Sequence, residues 1–488
     1  MRNLLNKQSL RQLELLEYLY DNSWTTLDAA CQTLGYSKMS IRNDIQFLNQ
    51  ASKNFTIKTS KKQGILLSFP INYSRTSIYS FVLTNSIEFK LLETIFFNET
   101  HSSESLAAEL YISVSTLHRL IKNLNKKLSF LNFSISCIPH KLIGSEMAIR
   151  NFMIQLIIEK YSHANYPFSN AQESLLEKMF MFIEVRSCFS LNYSDIDKLK
   201  IWTIVTIIRI KNKHTIQFSD TNPNRSFNNL LSNRMIVLDF KKHFNLKLTK
   251  PLLNQLLILF SNDRYARNPL QLESIKIKNS RNWHLYDKCK RLLILISDDI
   301  GVKIPNFEHV LLHLFNEINM YYGQNHLLFD KKKDFIRNSI SQNVVFYQCF
   351  LQNYQKIFTT YNTSESQLYN LCYCLLIHWK QLIIELEKKN PCTTIGIFFN
   401  SDLEHMNLLC EYIQSKFNQE CIVTVIHQRS ITQLKKNASQ YDIIITNIDG
   451  IILPKTPIYC CSLLPTIDDL AVIGKLIREH RLSQSASK

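Results

Sequence analysis

The chain repeats itself. The stretch "LGYSKMSIRNDIQFLN" at 34–49 aligns with "LYISVSTLHRLIKNLN" at 110–125, 76 residues further on. In both copies a small residue (Cys31, Ala107) precedes a turn, and a hydroxyl residue (Ser37, Ser113) is placed to cap the next helix. An apolar stripe then follows at helical spacing: Ile41, Ile45 and Leu48 in the first copy, Leu117, Ile121 and Leu124 in the second. This is the pattern of a helix-turn-helix, in which two short helices meet across a tight turn. Gly35 allows the positive φ that the turn needs. Tyr111 stands at that position in the second copy and weakens the turn signal there. Upstream, Leu10, Leu13, Leu16, Leu19 and Tyr20 fall on one face of an amphipathic helix. Downstream, "FTIKTS", "KKQG" and "ILLSF" read as strand, turn and strand, a wing with Lys61 and Lys62 at its tip. A second wing follows in "NFSISCIPHKLIGSE", with Lys141 and Gly144.

The faces opposite the stripes carry the chemistry. The first offers Lys38, Arg42, Asn43, Gln46 and Asn49, with Ser37 and Ser40 at its start. The second offers His118, Arg119, Lys122 and Asn123, with Ser113 and Thr116 at its start. Arg and Asn match the base edges of guanine and adenine in a major groove, and wing lysines match phosphates. The pattern predicts binding to double-stranded DNA, with base contacts from the first helix and phosphate contacts from the second helix and the wings.

Composition permits this partner without locating it. The formal charge is +17, and it is spread along the chain. Residues 391–488 alone are balanced, with nine Lys/Arg against nine Asp/Glu. The 12 cysteines follow no paired CxxC pattern, which suits a reduced, cytoplasmic protein. The N-terminus reads as an amphipathic helix and not a signal peptide. The most apolar run, "IWTIVTII", falls far short of the roughly 20 residues a membrane span needs, so no membrane association is expected.

The remainder divides in two. Through 150–390 run long segments with helical periodicity, among them "IRNFMIQLIIEKY", "KIWTIVTIIRIKNKHTI", "LLNQLLILFSNDRYARN", "FEHVLLHLFNEINMYYG" and "LYNLCYCLLIHWKQLIIEL". Beyond 391 the period changes. "TTIGIFFN" reads as a buried strand of the parallel type, "ECIVTVI" and "YDIIITNI" as a second and third strand between helices, and "PIYCCSLL" offers a fourth, which implies a small parallel α/β sheet. No GxxxxGK[ST], GxGxxG, HExxH or GxSxG occurs, and no metal-ligand spacing is read from the sequence. An enzyme is not expected, nor a cofactor.

In this order of parts the chain resembles the Mga-type streptococcal virulence regulators, a group that includes the anthrax toxin activator. The resemblance rests on the paired winged helices, "KLIGSEMAIRNF", "IIRIKNKHTI" and the closing sheet. It implies a mainly α multidomain protein: winged helix-turn-helix units at 1–70 and 71–150, helical phosphotransferase regulation domains (PRD-like) at 151–275 and 276–390, and an α/β domain similar to phosphotransferase IIB components (EIIB-like) at 391–488. It further implies a transcription activator of virulence or sugar-linked genes, phosphorylated on histidine by the phosphocarrier protein. His214 in "RIKNKHTI" is the first expected phosphorylation site and His378 in "LLIHWKQLI" the second, with His309, His313 and His326 as competitors. The IIB phosphocysteine would follow the first strand, yet "FFNSDLEHM" contains none and Cys392 precedes it. The end domain is therefore expected to join a homodimer and not to transfer phosphate. The rival reading is a phosphotransferase interaction or phosphoryl-transfer protein without sequence-specific DNA binding.

Overall fold

A computed structural model describes residues 1–161, 166–187, 193–216, 229–258, 265–278, 280–319, 325–340, 344–359, 363–389 and 392–486. These gather into two compact units, Met1–Lys278 with Ile318–Lys331, and Asn279–Glu317 with Lys332–Lys488. The expected boundary at 390–391 and parts of two helical runs (259–264 and 320–324) lie outside the described residues.

The first unit opens with α1 (Lys7–Asp21), α2 (Leu27–Leu34) and α3 (Lys38–Ala51). Thr26 and Ser37 cap the second and third helices, their hydroxyls accepting from the N–H groups of Ala29 and Ser40. Strands β1 (Thr56–Ser60) and β2 (Gly64–Ser68) form the first wing, antiparallel, with Ser60 opposite Gly64. Thr25 pairs with Ile65 through two backbone hydrogen bonds, so the wing leans on the α1–α2 loop. Only glycine fits at 64, where a Cβ would lie 2.1 Å from the Thr25 carbonyl oxygen.

The repeat follows α4 (Thr76–Asn85) and α5 (Ile87–Phe97). It consists of α6 (Ser103–Glu109), α7 (Val114–Leu128), β3 (Phe133–Ile135) and β4 (Leu142–Gly144), closed by α8 (Glu146–Tyr161). Helices α9 (Asn170–Ser187), α10 (Tyr193–Lys211), α11 (Asn229–Ser232), α12 (Arg234–Phe244), α13 (Lys250–Leu256) and α14 (Pro269–Lys278) complete the unit. The predicted stripes are the core: Ile41, Leu48, Leu117, Leu124 and the inner face of α8 belong to one buried cluster that reaches Ile201 and Val205 of α10. The opposite face of α10 packs with Phe180, Phe240 and Leu253 in a second cluster. Segment 325–331 returns to this unit. There Phe329 stacks on Tyr79 with ring centroids 5.0 Å apart, and the N–H groups of Leu328 and Phe329 donate to the Glu159 carboxylate.

The second unit holds α15 (Ser280–Ile300), α16 (Phe307–Asn319), α17 (Lys331–Ile340), α18 (Val344–Ile357), α19 (Glu365–His378) and α20 (Leu382–Lys389). After them come β5 (Thr393–Phe398), α21 (Leu403–Phe417), β6 (Cys421–Val425), α22 (Ile431–Asn437), β7 (Ile443–Thr446), β8 (Ile458–Cys460) and α23 (Ile467–Ala486). The four strands are parallel in the order β6-β5-β7-β8. Ile395, Ile397, Ile443 and Ile445 face α21 and α23, while Phe398 and Ile444 face Leu434 of α22. Burial on both faces explains why the central strands β5 and β7 read as continuous apolar runs, whereas the edge strands β6 and β8 are partly exposed.

Candidate nucleic-acid interface and histidine cluster

Helix α3 sits where the apolar stripe drives it, with Ile41 and Leu48 fully buried beneath and Arg42, Asn43 and Gln46 exposed above. None of these three side chains has a partner among the described residues. Lys38 is exposed too and is paired with Asp28 at 2.5 Å. Such an exposed pair is worth at most about 1 kcal/mol, so Lys38 can exchange it for a phosphate. Ser37 and Ser40 are spent on the cap, with hydroxyl oxygens 2.9 Å apart. The residue that sequence reasoning passed over is Asp44, on the buried side of α3. It accepts from Arg11 Nε at 2.5 Å and from Gln12 Nε2 at 3.1 Å. This pairing fixes the roll of α3 against α1, and with it the direction in which Arg42 and Asn43 point.

The wing is held to α3 by Asn49. Its amide donates to the Ile57 carbonyl at 2.9 Å and accepts from the Ile57 N–H at 2.7 Å. Lys61 and Lys62 lie exposed in the β1–β2 turn, whose backbone N–H groups at Lys62 and Gln63 donate to the Ser60 hydroxyl. In the second copy Asn125 makes the same two bonds, to Ile135, each at 2.8 Å. Ser113 caps α7 by accepting from the Thr116 N–H, as Ser37 does for Ser40. Tyr111 has φ +55°, close to the +72° of Gly35. The turn is therefore kept without glycine, and the side chain is thrown into solvent, 95% exposed. His118, Arg119 and Lys122 are exposed along α7.

His214 follows α10 and meets the second winged helix. Its Nε2 is 2.9 and 3.0 Å from the two carboxylate oxygens of Glu99, in the α5–α6 loop. Arg209 donates from Nη1 to Glu99 at 2.8 Å, and from Nη2 to the Leu142 carbonyl of β4 at 3.0 Å and to Glu146 at 2.8 Å. Arg150 donates to Glu146 as well. Burial opposes ionisation of Glu146, but the guanidiniums of Arg209 and Arg150 outweigh it and hold the carboxyl below its ordinary range. Lys141 Nζ, on the wing, lies 3.8 Å from Glu99. One ion-pair network thus joins the helical region to the loop, the wing and the first turn of α8.

His378 ends α19, where its ring stacks on His313. His309 adjoins both. His326 belongs elsewhere. It lies in the first unit, buried against Phe152, and burial followed by the nearby N-terminal amine pushes it down to about 4. Around the parallel sheet, burial raises the Cys410 and Cys421 thiols to about 11 and Cys461 to about 12, so none of these is a ready thiolate nucleophile. Among the described residues no helix is long and apolar enough to cross a membrane.

Comparison with known proteins agrees with this geometry. Residues 6–63 match the M protein trans-acting positive regulator (MGA) HTH domain, and residues 71–157 match the Mga helix-turn-helix domain. The chain is 27% identical over 466 residues to a putative trans-acting regulator of Streptococcus pneumoniae, covering 92% of this chain and 93% of that one. It is 21% identical over 495 residues to the anthrax toxin expression trans-acting positive regulator of Bacillus anthracis, covering 97% and 99%. It is also 24% identical over 315 residues to the capsule synthesis positive regulator AcpA of Bacillus anthracis, covering 62% and 64%. The chain thus carries two Mga-type helix-turn-helix domains in tandem and is similar along nearly its whole length to proteins named as trans-acting regulators.

Proposed function

We propose that this protein activates transcription in the cytoplasm by binding promoter DNA as a dimer, under control of histidine phosphorylation. The observation that carries the reading is the exposed, unpartnered trio Arg42, Asn43 and Gln46 on α3, beside the Lys61–Lys62 turn. Arg42 and Asn43 would read base edges, while Lys38, Lys61, Lys62, Arg119 and Lys122 would neutralise phosphates. His118 lies on the same exposed face of α7. The caps formed by Ser37 with Ser40, and by Ser113 with Thr116, would present helix N-termini to the backbone.

Control would pass through His214. Its side chain is 23% exposed and rests on a carboxylate that is 3% exposed. A phosphoryl group on the facing nitrogen would replace a hydrogen bond with like-charge contact, worth about 4 kcal/mol of repulsion at 4 Å and an effective dielectric of 20. That exceeds the roughly 1.5–3 kcal/mol of a charge-assisted hydrogen bond. Arg209 or Lys141 would turn toward the phosphate, and the contact between Arg209 and Leu142 of the wing would loosen. His378 would be the second acceptor, with the phosphocarrier protein of the phosphotransferase system as donor. Dimerisation through residues 391–488 is supported by exposed Leu403, Leu408, Leu463, Leu464 and Ile467. His405 Nε2 lies 2.9 Å from the Leu463 carbonyl, so the start of α21 and the loop after β8 share one surface.

Footprinting with purified full-length protein on genomic fragments tests the reading. Discrete protected half-sites are expected. Retention on phosphotransferase proteins with no protection at any fragment would favour a protein-only role.

A further inference from the structure

Three histidines in the second unit face one another. His309 and His313 stand one turn apart on α16, with Nε2 atoms 3.2 Å apart. His378 joins them from the end of α19, its ring 3.6 Å from that of His313 with the planes 6° apart. One nitrogen from each imidazole lies within 4.8 Å of the other two, and the group contains no carboxylate. Hydrogen bonding does not explain the arrangement. A pair of neutral imidazoles can share one N–H···N bond, which leaves the third ring without a role in it. Burial first, and then the neighbouring rings, push His313 down to about 4, and burial followed by His309 and Lys332 does the same for His378. Lys332, whose charge acts on His378, is itself paired with Glu317 at 3.3 Å.

We propose that His309, His313 and His378 form a binding site for a divalent transition-metal ion, zinc foremost, with the three imidazoles as ligands and water completing the shell. Zn–N bonds of about 2.0–2.1 Å in tetrahedral array place ligand nitrogens roughly 3.3 Å apart, which the His309–His313 pair already matches. Two histidines at i and i+4 on a helix are a recurring zinc-ligand pair. His309 is exposed and provides the entry path, while the half-buried His313 and His378 would anchor the ion once one ring turns out of their stack. His378 is positioned by its backbone carbonyl, which accepts from Asn306 Nδ2 at 2.9 Å. A bound ion would tie α16 to α19. Such three-histidine sites with an open position suit zinc, whose filled d shell imposes no geometry of its own, although copper binds nitrogen ligands more tightly where it is available.

The test uses untagged, unphosphorylated full-length protein stripped with chelator and titrated with zinc chloride in a calorimeter. His378 is also a proposed phosphoryl acceptor, and the absence of phosphate keeps the two readings separate. One zinc per chain and a higher unfolding temperature are expected. His309→Ala, an exposed substitution that leaves the core intact, should weaken binding at least about tenfold, and His378→Gln should do the same. His284→Ala, on α15, should leave binding unchanged. Cobalt should give the visible absorption of tetrahedral coordination in the parent protein and lose it in His309→Ala. No zinc uptake by the parent protein, or uptake equal in parent and His309→Ala, would overturn the proposal.

Discussion

His214 Nε2 lies 2.9 Å from Glu99, and Glu99 accepts from the same Arg209 that holds Leu142 of the second wing. A modification at one ring nitrogen is therefore three contacts away from a wing strand. Phosphorylating the protein with the general phosphotransferase proteins and phosphoenolpyruvate should speed backbone hydrogen exchange in residues 141–144. His214→Ala should take up less acid-labile phosphate and show no such change. Unaltered exchange in the wing of fully phosphorylated protein would separate His214 from the second winged helix.

Arg11→Ala tests what orients α3. Asp44 is 2% exposed and would lose its charged partner, keeping only Gln12. Removing one member of a buried pair costs about 3–5 kcal/mol, and the partial exposure of Arg11 puts the loss near the lower end, about 3 kcal/mol. Urea unfolding followed by circular dichroism measures it. A loss under about 1 kcal/mol would mean that apolar packing alone sets the roll of the helix.

Tyr111→Gly should stabilise the second helix-turn-helix. A non-glycine residue in the left-handed region costs about 1–2 kcal/mol, offset by about 0.5–1 kcal/mol of extra glycine entropy in the unfolded chain. The side chain is exposed, so little packing is lost. The net expectation is about 0.5–1 kcal/mol, read as a higher urea midpoint. An unchanged or lower midpoint would show that the tyrosine ring contributes to the fold.

These positions also mark how far the sequence could be read. Period and capping revealed α3, because Ser37, Ile41, Ile45 and Leu48 are local to one helix. The repeat carried the second copy across the missing glycine, although nothing local announces that Tyr111 adopts positive φ. Buried strands such as β5 and β7 were legible as unbroken apolar runs. What stayed hidden is non-local. Asp44 looks like an exposed helix carboxylate until Arg11 is placed beside it. Glu99, Arg209 and His214 come from three separate segments. The i, i+4 pair His309 and His313 was passed over in the sequence, because two histidines make no site until the third imidazole arrives from α19. His326 was grouped with the second helical region by position, while packing returns it to the first unit.

His326 should make the first unit sensitive to acid. Its value falls from 6.5 in the unfolded chain to about 4, chiefly through burial. A depressed folded value means that the stability carried by the neutral ring is complete above about 6.5 and is lost as the pH falls toward 4. Replacing it with Gln, which does not titrate, should flatten the fall in unfolding midpoint between pH 6.5 and 4. An equal fall in both proteins would assign the acid sensitivity to other groups.

Lys61→Ala with Lys62→Ala should weaken binding to all duplexes about equally. Each phosphate contact contributes about 0.9 to the slope of log K against log salt, so the slope should become shallower by nearly two. An unchanged slope would take the first wing off the backbone.

The central claim is that α3 reads DNA sequence, and Arg42→Ala tests it most directly by fluorescence anisotropy on a footprinted site and on random duplex at one salt concentration. Loss of a base contact should cost about 1–3 kcal/mol on the footprinted site and far less on random duplex. Equal affinity of parent and variant for the footprinted site would contradict the account, because the exposed face of α3 would then lie outside the interface.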